Sequence, residues 1–219
     1  MRKLKNKLII LVLVSIVACQ PKKDNGSRVS KLPYYNDASF TPHWNLSDKE
    51  LSEFHKVSAF SLINQEGEKI TDKTFENKVY VVDFFFTTCP GICPKMTTNM
   101  KLVQQAFAKD SEVLLLSHSV TPSIDSVSVL NHYANVNEVI SGKWHLATGD
   151  KKQIYNLGRQ SYFIEEDLGY EQSLDDFLHT ENFVLVDKNK HLRGIYNGLN
   201  KTAVKQLIAD IKTLKAEVN

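Results

Sequence analysis

An α/β fold, its sheet covered by helices on both faces, is what this sequence predicts, and three observations carry the prediction. Two runs, "KVYVVDFFF" at 78–86 and "EVLLLSHSV" at 112–120, are apolar and too continuous for half-exposed strands. After the first run, Met96, Met100, Val103 and Phe107 recur at helical spacing. The chain closes on "KTAVKQLIADIKTLKAEV", an amphipathic helix. Strands alternating with helices build a sheet covered on both sides. An open sheet of this kind holds its ligand at the C-terminal ends of its strands.

The elements follow in chain order. A basic start, "MRKLKNK", leads into an apolar stretch from Leu8 to Val17 and then Ala18 and Cys19. That stretch is short for a spanning helix, which needs about 20 residues, and it fits a secretory signal. "SIVAC" is similar to a bacterial lipobox, which makes 1–18 a signal peptide and Cys19 the lipidated mature N-terminus. The competing readings are an ordinary signal peptide and an uncleaved anchor. The expected location is that of an exported bacterial lipoprotein, its domain in the periplasm or outside the cytoplasmic membrane. Residues 19–47, polar and broken by Pro21, Pro33 and Pro42, read as a flexible tether. The domain proper is expected over 48–219.

Within it, "AFSLINQEGEKI" reads as a hairpin and "SIDSVSVLNHYANV" as a helix. "WHLATGD" reads as a short strand, "KKQIYNLGRQSY" as a helix, and "NFVLVDKNKHLRGIYNG" as a hairpin turning at Asp187–Lys190. The 219 residues, 42% of them hydrophobic, suffice for one sizeable core. A formal net charge of +2, with no dense basic run beyond the N-terminus, gives nucleic-acid binding no electrostatic support.

Chemistry concentrates in "FFFTTCPGICPKM". With Cys19 assigned to lipid, Cys89 and Cys93 are the remaining pair. So short a loop closes little chain and would stabilise the fold modestly as a disulfide. Pro94 suits the first helical position, which sets Cys93 near the N-cap, where the helix dipole favours a thiolate. Residues four apart around a first turn can form a disulfide or share one soft cation, so geometry leaves both open. Asp83, six positions before Cys89 in an apolar strand, is a candidate proton acceptor toward a thiol, or else a carboxylate hydrogen-bonded to backbone. Met96 and Met100 fit the core stripe better than a ligand role. His118 follows a strand without a partner, and His43, His55, His132, His145 and His191 sit in ordinary contexts. His179, in "DDFLHTENFVLVD" just before the C-terminal hairpin, is the candidate third ligand.

Taken together, "FFFTTCPGICPKM", His179 and the flanking strand order resemble the Sco/SenC family, from about Phe54 onward. "SVTPSIDSVSVLNHYA" and "WHLATGDKKQIYNL" share the likeness, whereas Leu178 stands where the family often has Asp. The resemblance implies a thioredoxin-like fold: a central mixed β-sheet flanked by helices, with an added N-terminal β-hairpin. It implies a copper metallochaperone for the copper site of cytochrome c oxidase, with Cys89, Cys93 and His179 as ligands of Cu(I), Cu(II) or both. The implied partners are the oxidase's copper-bearing subunit, a thioredoxin-like electron donor and, through the lipid, the membrane. The rival functions are a thiol–disulfide reductase acting through Cys89 and Cys93 on the oxidase's copper-site cysteines, and a redox-sensing lipoprotein. Two thiolates independently select soft Cu(I).

Overall fold

A computed structural model describes residues 26–164, 178 and 180–217. A short helix, α1 (Asp48–Glu53), precedes the hairpin β1 (Ser61–Ile63) and β2 (Lys69–Thr71). Then come β3 (Val79–Phe85), α2 (Cys93–Ala106), β4 (Val113–Ser119), α3 (Val127–Val136), β5 (Trp144–Ala147) and α4 (Lys151–Asn156). The chain ends with β6 (Asn182–Val186), β7 (Leu192–Asn197) and α5 (Lys201–Ala216). The main sheet has the order β5-β4-β3-β6-β7. Its first three strands are parallel to one another, and β6 and β7 are antiparallel to their neighbours. β3, central and buried along its whole length, explains why its sequence lacks polar alternation.

Alternation along β3 divides the core. Val79, Val81 and Phe85 join Met96, Met100 and Val103 of α2, Leu130 of α3 and Leu207 and Ile211 of α5. Tyr80, Val82 and Phe84 join Leu62 and Ile70 of the hairpin and Ile154 of α4 on the opposite face. The methionines are therefore core residues, as their spacing predicts. Two helices are shorter than expected. α3 begins only at Val127, where the Ser126 hydroxyl caps the Val129 N–H. α4 ends at Asn156 and passes into a π-helical turn over Leu157–Ser161. There Gly158 lies so close to Leu178 that a Cβ would sit 2.7 Å from its Cδ2.

The expectation of a flexible tether up to residue 47 is corrected over its described part. Leu32 and Tyr34 are buried, and Tyr34 exchanges two backbone hydrogen bonds of 2.9 Å with His43. The Tyr35 N–H donates to the Leu192 carbonyl at 3.1 Å, continuing the sheet beyond β7. Arg193, fully buried, donates to the carbonyls of Pro33 (3.0 Å) and Leu32 (2.7 Å) and to the carboxylates of Asp187 (3.1 Å) and Glu217 (2.6 Å). Its guanidinium also lies 3.9 Å from the Tyr34 ring centroid. This docking is carried by partners about 160 residues away in sequence, so it leaves no local periodicity to read.

Candidate functional site

β3 delivers Asp83 and the following loop to the sheet's C-terminal edge, and α2 starts directly behind that loop. The loop is pinned from below by Asp125. Its carboxylate accepts from the Thr87 N–H (3.2 Å), the Thr87 hydroxyl, the Ser119 hydroxyl (2.6 Å) and the Thr121 hydroxyl (3.1 Å). Asp125 is fully buried, and four donors hold its carboxylate there. It joins the loop after β3 to the loop after β4 and so fixes where Cys89 stands. Sequence reasoning passed over this residue; its Ser/Thr-rich surroundings were the available signal.

Cys89 and Cys93 are both free thiols, Cys89 half-buried and Cys93 only 4% exposed. The helix start differs from expectation by one position: Ile92 is the N-cap, Cys93 the first helical residue and Pro94 the second. Cys93 therefore points into the core beside Met96, and the anticipated thiolate at this position is corrected. Burial, then the hydrogen bond with Cys89, pushes the Cys93 thiol up to about 12. The opposite holds at Cys89. Partial burial works against its thiolate, but the Cys93 thiol and the N–H groups of Cys93, Gly91 and Ile92 outweigh that and lower its pKa. The helix start thus favours a thiolate, and the thiol it favours is Cys89.

Asp83 is buried on the α2 face, 2% exposed, opposite Ser117 of β4. Burial raises its carboxyl to about 7, against hydrogen bonds from the Ser117 hydroxyl and backbone. The Ser117 oxygen in turn accepts from the Trp144 indole N–H at 2.8 Å. A charged Asp83 further disfavours the Cys93 thiolate. Tyr133 of α3 completes the surroundings. Its hydroxyl lies 2.7 Å from that of Thr97, and its ring packs 5.4 Å from Phe85. Burial raises its pKa to about 12, and Asp83, Cys93 and Cys89 all add to the rise. Tyr133 was not legible as a site residue because its helix looks ordinary.

On the other side of the sheet, His118 stacks on Phe84 at 4.9 Å and lies near Phe60 and Tyr162. Burial lowers its pKa to about 3, so it stays neutral. His55 and His191 bond backbone carbonyls, as bland structural histidines do. His179 and Cys19 lie outside the described residues. Of the residues flanking His179, Leu178 is fully buried and Thr180 is 7% exposed. Among the described residues, no three His, Cys, Asp or Glu side chains gather as a metal site. Cys89, Cys93, Asp83 and Tyr133 do come together, and their two sulfurs form a soft donor pair.

The SCO1/SenC family model matches residues 48–216. The SCO1 protein homolog of Bacillus subtilis is 28% identical over 163 residues, which are 73% of this chain and 82% of that protein. A SCO1/SenC family lipoprotein from Bacillus anthracis, 28% identical, superposes with a TM-score of 0.64 over 74% of this chain and 96% of its own. BsSco, described as a member of the Sco family of cytochrome c oxidase assembly proteins with a disulfide switch, gives 0.63 at 26% identity over 75% and 95%. Bradyrhizobium japonicum ScoI, solved with copper bound, shares the fold with a TM-score of 0.57 at 24% identity, over 73% and 99%.

Proposed function

The chain belongs to the SCO1/SenC family, and from that premise we propose that it is a membrane-anchored copper metallochaperone for the copper site of cytochrome c oxidase. The observation that carries the reading is the pair of free thiols at the start of α2, one accessible and one buried, behind a loop fixed by Asp125. Cys89, Cys93 and His179 would hold the ion, lipidated Cys19 would tether the domain outside the cytosol, and the oxidase's copper-bearing subunit would receive the cargo. Thiolates and imidazole together suit Cu(I) and also accommodate Cu(II). A site of three ligands leaves room for a recipient's thiolates to exchange with Cys89, the more exposed sulfur. The test is copper titration of the reduced chain, read by sulfur-to-copper charge-transfer absorption. Stoichiometric binding in wild type, lost in Cys89→Ala and altered in His179→Ala, is the expected result. Unchanged spectra in His179→Ala would remove that histidine from the site.

One observation favours a second role, thiol–disulfide reduction of the oxidase's copper-site cysteines. Cys89 has the lowered pKa and the exposure of an attacking thiol, whereas Cys93 and Asp83 have those of a resolving pair. The Cys89 thiolate would attack a substrate disulfide and release one thiol. Cys93 would then pass its proton to Asp83 and attack the Cys89 sulfur, releasing the second thiol and leaving the Cys89–Cys93 disulfide. A thioredoxin-like donor would supply the two electrons for the next cycle. Turnover of model disulfides that disappears in Cys93→Ser at the mixed-disulfide stage supports this role, and no turnover at any pH sinks it.

A further inference from the structure

We propose that the outer face of α5 is a docking surface for an anionic lipid bilayer, which fixes how the domain sits on its membrane; this rests on the anchored reading above. The chain enters the domain against this helix. A Cβ on Gly26 would lie 3.6 Å from the Cβ of Ala209, so the entering backbone packs directly on α5. The next residue, Ser27, donates its hydroxyl to the Asp210 carboxylate at 2.6 Å. Lys205 and Lys212 are the i−4 and i+3 neighbours of Ala209 and so flank that entry point, and Lys201 continues the row one turn up. All three are exposed, and none is ion-paired among the described residues.

No exposed carboxylate offsets this row on its own helix. Asp210 is buried under Ser27, Gln206 and Tyr196, and Glu217 is committed to Arg193. The neighbouring helix α2 contains no acidic residue, and the acids nearest the helix's far end, Asp110 and Glu112, are already paired with Lys215. Arg28 and Lys31 add two exposed cations to the entering segment. Cys19 is seven positions before Gly26, a reach of at most about 25 Å. A lipid at Cys19 would therefore keep this helix within about 25 Å of the headgroups, close enough to swing into a surface potential that acts over about 10 Å. The lysine row gives this face, beside the entry of the chain, a charge that suits an anionic bilayer.

The test uses the lipidated full-length chain on vesicles of phosphatidylcholine alone or with phosphatidylglycerol. An amine-acylating reagent reports lysine accessibility by mass spectrometry. Lys69 and Lys152, exposed on elements that pack on the opposite face of the sheet, are internal references. Acylation of Lys201, Lys205 and Lys212 should fall about fivefold relative to the references on the anionic vesicles and recover in high salt. Replacing Lys201 and Lys205 with Glu should abolish the protection of Lys212 on the anionic vesicles while flotation persists through the anchor. Equal acylation on both vesicle types, in a chain that floats with both, would overturn the docking surface and leave the anchor standing. Failure to float on phosphatidylcholine would overturn the anchor, and lysine protection on the anionic vesicles would then read the face by itself. Protection that appears only with an acidic protein present would assign the row to that protein and overturn the bilayer.

Discussion

The two faces of the central sheet each bury one titratable side chain at neighbouring register positions, and the two behave in opposite ways. Asp83 pairs across the ladder with Ser117, and Phe84 with His118. Asp83 faces the dithiol, receives a hydroxyl donor and has its pKa raised to about 7. His118 stacks on an aromatic ring, has no hydrogen-bond partner among the described residues and has its pKa lowered to about 3. Burial disfavours the charged form of both groups, and it does so by raising the pKa of the carboxyl and lowering that of the imidazole. The difference teaches that equal burial does not mean equal use: the side with chemistry supplies its polar group with a relay, and the other side supplies none.

Opposite shifts also mean opposite pH dependence. Folded Asp83 keeps its proton after the unfolded group has lost it, so its stabilising contribution is full below pH about 4 and falls as pH rises to about 7. Folded His118 refuses a proton that the unfolded group takes, so its contribution is full above about 6.5 and is lost as pH falls toward 3. Between about pH 4 and 6.5 the two slopes oppose each other, and the wild type should show a flat stability profile there.

Breaking one side should expose the other. His118→Phe removes the group that resists acid and should be the more stable chain at pH 4, by about 3 kcal/mol in urea unfolding. Its stability should then fall with rising pH, as Asp83 alone dictates. A profile parallel to wild type would show that His118 is not held neutral. Asp83→Asn should do the reverse, gaining roughly 4 kcal/mol at pH 8 and losing stability below pH 6. The same variant should lower the pH at which Cys93 is alkylated, because a negative neighbour is removed; an unchanged alkylation profile would separate Asp83 from the thiols. Asp125→Asn sharpens the comparison at the dithiol's edge. It leaves donors of Thr87, Ser119 and Thr121 underserved and should cost about 2 kcal/mol, with faster alkylation of Cys89. The smallest effect is expected for Tyr133→Phe, about 1 kcal/mol from the lost Thr97 contact, read by thermal melting at pH 7.

What the sequence made legible follows the range of the interactions. β3, β4, α2 and α5 announce themselves because continuous apolar runs and helical spacing are local signals. The dithiol was equally plain, since two cysteines four apart need no fold to be noticed. Which of them carries the thiolate was not. That depends on whether Cys93 is the cap or the first helical residue, and one position exchanges an N–H-rich setting for a buried one. Asp125 and Tyr133 were missed for a related reason. Each acts across a loop or helix boundary, 36 to 38 residues from the group it holds. The docking of Leu32–Tyr35 was hidden furthest, since its partners Leu192, Arg193 and Glu217 lie at the opposite end of the chain.

That docking has a mechanical meaning. A pull on the N-terminal segment would be borne first by Ser27 on α5, then by Tyr35 on β7 and the carbonyls of Leu32 and Pro33 on Arg193. All of these load points lie on the last strand, at one edge of the sheet, and on the last helix, which packs on β7 and α2. β3, which leads into the dithiol loop, is separated from that edge by β6. Tension and thermal jostling that enter through the N-terminal segment would therefore be spread over β7 and α5, in shear against a multiply bonded guanidinium, before they reach the dithiol.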